Sequence, residues 1–215
     1  MVKRVALMQP YFFPYPRYFR LFAEVDEFII YDDTQFPKGG RVHRTELPGP
    51  SGNTEWLTLP LSSQPLSTLI RDRSFSADAT TLFDLRLRRF PWIESACGPA
   101  AERVRTHLRT PLTSLLDYLE AGLRLVLDLL HIETKITLSS AMRLDPAVRG
   151  QERVIAAVQR AGATHFVNLP GGRALYNVET FAASGITLSF LPSYDGPHAQ
   201  LLPALMTLPP KDIVL

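Results

Sequence analysis

The sequence predicts an α/β protein built on an open, mainly parallel sheet with a helical insert, forming one domain over residues 1–215. Three observations predict it: compact β-branched or aromatic runs near the N-terminus, a helical block at about 76–130, and a final third in which strand and helix patterns alternate. Alternation of that kind implies parallel pairing, hence a Rossmann-like sheet whose ligands sit beyond the carboxyl ends of the strands.

Taken in order, Val2 to Leu7 reads as a short buried strand and Glu27 to Tyr31 as a second. Between them Tyr18, Phe19, Phe22 and Val25 recur at helical spacing, and Pro16 suits a first helical turn. Pro37, Gly39, Gly40, Pro48, Gly49, Pro50 and Gly52 mark a long loop before Glu55 to Leu61, a further strand. Ser76 caps a helix running through Phe90, Pro91 breaks it, and Thr110 with Pro111 at the first helical position starts Leu112 to Leu130. On that last helix Leu115, Leu119, Leu123, Val126 and Leu130 share an apolar face, the pattern of a core-packed helix. The remainder alternates: strand Lys135 to Leu138, helix Gln151 to Ala161, strand His165 to Asn168, helix near Val178 to Ser184, strand Ile186 to Leu191. Gly162 and Gly185 close the two helices, as helix C-termini commonly require.

Composition narrows the function classes. The 23 Lys and Arg against 21 Asp and Glu give a net charge of +2, so no global field argues for nucleic acid or a membrane surface, and a polyanionic partner has to be met locally. The N-terminal apolar run stops at Gln9 and Pro10, too short for a signal-peptide core. Leu112 to Ile132 is interrupted by Asp117, Glu120, Arg124 and Asp128, which argues against a membrane span. With Cys97 as the one cysteine, these features point to a soluble, cytoplasmic protein without internal disulfides.

The densest chemistry lies in Tyr31-Asp-Asp-Thr-Gln-Phe-Pro-Lys-Gly-Gly-Arg-Val-His-Arg. Asp32 and Asp33 at a strand end, then Gln35, Lys38, Arg41, His43 and Arg44, put an acid pair, an imidazole and fixed cations in one loop. A histidine near its ordinary pKa of about 6.5 removes a proton from an amine, and an adjacent aspartate holds its tautomer. Arg44 suits a phosphate or carboxylate clamp. The same composition also fits a solvated hairpin loop. Two carboxylates would suit Mg²⁺ together with substrate phosphates, yet adjacent strand residues point to opposite faces, so no metal or cofactor is assigned.

Gln9 exposes a neutral donor and acceptor at the end of the first strand. Asn168 and the following Leu169-Pro-Gly-Gly-Arg-Ala-Leu-Tyr place Asn168, Gly171, Gly172 and Tyr176 at a strand-to-helix junction. Backbone N–H groups of Gly171 and Gly172 suit an oxyanion or phosphate, reinforced by Arg173, although a tight turn explains the glycines equally well. Neither a Walker A loop nor a dinucleotide fingerprint occurs. Cys97 reads as structural and His107 as exposed on an amphipathic helix. Between residues 71 and 110 eight arginines face five acids, a surplus that suits an acidic carrier protein or an RNA backbone, or solvated helix faces.

Met8-Gln-Pro-Tyr-Phe-Phe-Pro-Tyr with Tyr18-Phe, then Asp26-Glu-Phe and Tyr31-Asp-Asp with Gln35-Phe, resembles the opening of WbqC-like proteins. Trp56-Leu-Thr-Leu-Pro-Leu, Gly150-Gln-Glu-Arg-Val-Ile, Gly162-Ala-Thr-His-Phe-Val-Asn and Gly185-Ile-Thr-Leu-Ser-Phe-Leu resemble the rest of that family. Arg41 stands where the family usually has Trp, Arg17 where it often has Gly, and His131 where a helix-ending Gly is common. The resemblance implies amide formation: transfer of an acyl or aminoacyl group, such as glycyl, to an amine on a nucleotide-linked amino sugar, in O-antigen or natural-product biosynthesis. The donor is expected to be a carrier-protein thioester or aminoacyl-tRNA. Such a transfer needs one base and no enzyme nucleophile, which makes His43 the expected general base, with Asp33 or Asp32 orienting it or holding the acceptor ammonium. Gln9, Gln35, Lys38, Arg44, Asn168, Gly171, Gly172 and Tyr176 are expected to bind substrate. The rival expectations are a non-catalytic partner protein of a biosynthetic cluster and a metal-dependent nucleotidyl or phosphoryl transferase using Asp32 and Asp33.

Overall fold

The computed structural model describes residues 2–215. In order the chain forms β1 (Arg4–Met8), α1 (Pro16–Ala23), β2 (Glu27–Ile30), β3 (Arg44–Pro48), β4 (Thr54–Thr58), α2 (Ala79–Leu87), α3 (Trp92–Ser95), α4 (Ala101–Leu108) and α5 (Leu115–Leu129). Then follow β5 (Lys135–Leu138), α6 (Gly150–Arg160), β6 (His165–Asn168), α7 (Val178–Ala183), β7 (Thr187–Phe190) and α8 (Leu201–Thr207). These elements make two compact units: one from the segments up to Gln9, Arg17–Asp33 and Ile132–Asp195, the other from Pro10–Pro16, Thr34–His131 and Gly196–Leu215. Among the described residues no helix is long and apolar enough to cross a membrane.

The first unit is the expected parallel sheet. Its strand order is β5-β2-β1-β6-β7, and all four pairings are parallel. The first three strands of this sheet therefore run outward from β1 in one direction and the last two in the other. That reversal between β1 and β6 is the place where open α/β sheets bind ligands, beyond the carboxyl ends of the strands. Strand alternation sets the two faces: Val5, Leu7 and Ile29 pack with Val154 and Val158 of α6 and Phe181 of α7, whereas Phe28 stacks on Phe22 of α1 with ring centroids 3.6 Å apart. Each such buried aromatic contributes about 1.5–3 kcal/mol through burial alone. Glu27 is buried at the start of β2, where Lys3 (2.7 Å), Lys135 (3.2 Å) and the Thr137 hydroxyl (2.5 Å) surround its carboxylate. Burial pushes its pKa up, the donors pull it down, and the donors prevail.

The second unit holds the helical block and corrects several boundaries. Glu55 to Leu61 supplies a strand, β4, but it pairs antiparallel with β3 in a separate two-stranded sheet. The expected long loop contains β3 itself, whose Thr45 and Leu47 are buried in alternation with more exposed neighbours. Four helices replace the expected two between 76 and 130. The last begins at Leu115, because Ser114 accepts the Asp117 N–H at 3.3 Å and so caps the helix three residues past Pro111.

His107 is buried, not exposed: its ring stacks on Tyr118 at 4.6 Å and meets Phe13 edge-on at 5.6 Å. Gly122 of α5 makes room for it, since a Cβ there would lie 2.8 Å from His107 Nε2. Cys97, expected to be structural, is exposed. Phe12 and Phe13, between β1 and α1, are buried, and Phe13 reaches its place with a left-handed backbone (φ 41°) whose carbonyl accepts the Thr45 hydroxyl at 2.8 Å.

Candidate functional site

Two clusters hold the expected site residues, each within one unit. The segment Tyr31 to Arg44, expected to act as one loop, is divided at Thr34: its carboxylates belong to the parallel sheet and its imidazole and cations to the other unit.

At the carboxyl edge of the sheet, β2 ends at Ile30, so Asp32 and Asp33 escape strand alternation and turn toward the same hydroxyl. Ser139, in the first position after β5, approaches Oδ1 of both aspartates, at 3.0 Å from Asp32 and closer still to Asp33. The Ser140 N–H also donates to Asp32 (3.0 Å), so Asp32 caps the 3-10 turn Ser139–Met142. Asp32 is fully buried, and its Oδ2 has no hydrogen-bond partner. The second oxygen of Asp33 is taken by Arg153 of α6, with both side chains over 90% buried. A guanidinium there supplies the positive charge that a cation would otherwise bring, and among the described residues no group of three or more His, Cys, Asp and Glu has metal-binding geometry.

Across the switch point lies Asn168, at the end of β6 and 4% exposed. Its Oδ1 accepts the Leu169 N–H at 2.7 Å, and its side chain also hydrogen-bonds Tyr176. Burial, with a smaller contribution from Tyr31, raises the Tyr176 pKa against that hydrogen bond, which alone would lower it. Gly172 is required by this arrangement, because a Cβ would lie 2.7 Å from Asn168 Nδ2, while Gly171 has open space around it. The Gly172 N–H is donated to the Leu169 carbonyl at 2.9 Å, which corrects its expected oxyanion role: the turn has consumed the donor. Arg173 lies over Phe190 at 4.7 Å. Gln9 directly follows β1, with its carbonyl accepting from Tyr18 (2.7 Å) and the residue half-buried.

The second cluster surrounds the start of β3. Arg44 pairs in register with Thr58 and donates to the carbonyls of Gly39 and Gly40, closing the loop on itself, and its guanidinium lies 4.2 Å from the Trp56 ring centroid. His43 packs against Phe36 (5.1 Å), and its carbonyl accepts the Leu59 N–H at 2.7 Å. Burial first, then the charges of Arg44, Arg86 and Arg73, lower its pKa from 6.5 to about 4. Within its own unit the Asp33 carboxylate is held by Arg153 and Ser139, and within the other His43 Nδ1 has no hydrogen-bond partner. A carboxylate as buried as Asp33 calls for a permanent cation beside it. Gln35 and Lys38 are exposed; Gln35 makes a single antiparallel bridge with Leu69.

The sequence model of the WbqC-like protein family matches residues 9–204, a span that takes in both clusters. The chain belongs to the WbqC-like protein family. Uncharacterized protein Rv1507c of Mycobacterium tuberculosis (strain ATCC 25618 / H37Rv) is 28% identical to it over 200 residues, covering 91% of this chain and 84% of the relative. No solved structure matches the chain significantly. In this WbqC-like chain the Arg41 guanidinium, where the resemblance led to the expectation of a Trp, lies 5.1 Å from the Trp56 ring and 5.4 Å from that of Tyr15, with Glu46 at 2.5 Å balancing the charge.

Sequence reasoning missed Ser139 and Arg153. Ser139 carried the same signal as Gln9, a polar residue directly after a strand. Arg153 carried another, a charge on the face of a WbqC-like helix otherwise occupied by Val154, Ala157 and Val158.

Proposed function

We propose that this WbqC-like protein is an acyl or aminoacyl transferase that forms an amide on an amine acceptor, such as a nucleotide-linked amino sugar, by direct transfer. The donor is a carrier-protein thioester or an aminoacyl-tRNA, both cytoplasmic species, and the setting is O-antigen or natural-product biosynthesis. The observation that carries the reading is the state of His43: its imidazole is unprotonated at neutral pH, and no carboxylate holds Nδ1. A ring with Nδ1 shielded exchanges its proton at Nε2. In the reaction the acceptor nitrogen bonds to the donor carbonyl carbon and gives its proton to His43 Nε2, which hands that proton on to the leaving sulfur or oxygen as the C–S or C–O bond to the carrier breaks, so the thiol or ribose hydroxyl departs protonated and the imidazole is neutral again. No enzyme nucleophile is needed. Gln9, Asn168 and Tyr176 at the sheet edge are proposed to bind substrate through neutral hydrogen bonds.

Mass-spectrometric assay of carrier-loaded and tRNA-loaded donors with amino-sugar acceptors tests the reading. His43→Ala should lower turnover by roughly 10²- to 10⁴-fold, the usual contribution of a positioned base, with the circular dichroism spectrum unchanged. Cys97→Ser and added EDTA should leave turnover as it was. Trapping of an acylated Cys97, or undiminished turnover in His43→Ala, would overturn direct transfer; loss of product with EDTA would instead favour a metal-dependent transferase.

A further inference from the structure

Five of the eight arginines between residues 71 and 110 are spent on carboxylates: Arg71 on Asp72, Arg89 on Glu55, Arg103 on Asp128, Arg105 on Glu102 and Arg109 on Glu94. Among the described residues Arg73, Arg86 and Arg88 have no carboxylate partner, and neither has Arg44. The surplus charge is thus not spread over a docking face. Arg73 and Arg86, with Arg44, converge electrostatically on His43.

Local geometry brings them together. Arg44 lies opposite Thr58 in the β3–β4 ladder, the Thr58 carbonyl accepts Arg86 Nη1 at 2.7 Å, and the next residue, Leu59, donates to the His43 carbonyl. On the other side Phe36 touches the His43 ring and carries the Arg73 guanidinium over its own ring at 4.6 Å. Each arginine is held by neutral carbonyls: Arg73 by Gln64 and Pro65, Arg86 by Thr58, Arg44 by Gly39 and Gly40. Carbonyls satisfy N–H groups but leave the charge uncompensated. Arg73 is 8% exposed with its Nε unpartnered, and a cation so buried without a counter-charge is costly unless something anionic meets it.

We propose that Arg44 and Arg86, backed by the field of Arg73, form beside the His43 imidazole a binding site for a phosphate group of the substrate. Three cations match a phosphate dianion or a diphosphate better than a single carboxylate, and guanidinium groups suit its geometry. The site rests on the transfer reading only for the bearer of the phosphate, which is either the diphosphate of a nucleotide-linked acceptor or the phosphopantetheine arm of a carrier. A bound anion would offset the cationic part of the field at the imidazole and move its pKa upward, the part due to burial remaining, so that His43 becomes a stronger base when substrate is present. No carboxylate acts on this ring.

The experiment follows the His43 imidazole resonances and the heat of binding as inorganic phosphate, uridine diphosphate or 4′-phosphopantetheine is added at low salt. Expected are saturable, salt-weakened binding of at least one probe, a shift of the His43 resonances and an upward move of their titration midpoint. Tighter binding of uridine diphosphate would assign the phosphate to the acceptor, and tighter binding of 4′-phosphopantetheine would assign it to the carrier. Arg86→Gln should weaken binding roughly tenfold or more, the scale of one charge-assisted hydrogen bond, while Arg88→Gln, on the exposed surface, should not. The proposal is overturned if no probe perturbs His43, or if Arg86→Gln and Arg88→Gln weaken binding equally. Should Arg86→Gln fail to fold, the wild-type resonances decide alone. Transfer activity without phosphate binding sinks this inference only; phosphate binding at His43 without transfer from any donor sinks the transfer reading only.

Discussion

Arg153 and Asp33 show what one residue pair does in this sheet. Both side chains are over 90% buried, so the pair returns little net stability against an apolar equivalent, yet removal of either partner strands a charge out of water. Arg153→Met is therefore expected to cost about 3–5 kcal/mol, read as a lowered urea midpoint. The double variant Arg153→Met with Asp33→Asn should recover part of that loss. A double variant no better than Arg153→Met would show that packing rather than charge accounts for the effect. Asp32 and Asp33 were visible in the sequence as a pair at a strand end. Their partners were not, because Ser139 and Arg153 lie 106 and 120 residues from Asp33 and nothing local to either reports the other.

Helix ends are where individual elements departed from their signals. Thr110 and Pro111 satisfied a rule for starting a helix, but the Thr110 hydroxyl turns back to the Thr106 carbonyl, whereas Ser114 accepts the Asp117 N–H, and that cap prevailed. At the other end of α5, His131 adopts φ 54°, the left-handed conformation that follows a helix and that glycine enters without cost. His131→Gly should accordingly stabilise the protein by up to about 1 kcal/mol, raising the melting temperature by roughly 2–4 °C; a lower melting temperature would mean that the imidazole contributes contacts worth more than the relieved strain. β3 escaped notice for a different reason. Its Arg-Thr-Glu-Leu-Pro sequence alternates, but with threonine and leucine as the only inward residues the period-2 signal is faint beside the flanking glycines and prolines.

Over the whole molecule, buried neutral histidines couple folding to pH. His107 has its pKa lowered from 6.5 to about 4 by burial. Between those values the unfolded chain binds a proton that the folded chain refuses, so stability falls as pH drops below about 6.5 and the loss is complete near 4. From pH 7 to 5 His107 should account for about 2 kcal/mol of destabilisation, with His43 adding in the same direction. Denaturant midpoints at the two pH values measure it, and His107→Phe should flatten the dependence. A wild-type midpoint that does not change over this range would contradict the burial of the His107 ring.

Local periodicity was enough to establish the parallel α/β sheet and most of its strands, since a buried strand or an amphipathic helix writes its pattern in consecutive residues; β5 and β6 begin and end where the sequence alone places them. The order of the elements then implied parallel pairing, and short runs such as Met8-Gln-Pro and Tyr31-Asp-Asp carried the family. The tertiary structure decided which polar groups meet: that Asp33 takes Arg153, that His107 faces inward against Gly122, and that three arginines direct their charge at one imidazole. Such choices follow from desolvation and packing between segments far apart in the chain. A buried charge selects whatever counter-charge the assembled fold brings within reach, and no spacing in the sequence records that selection.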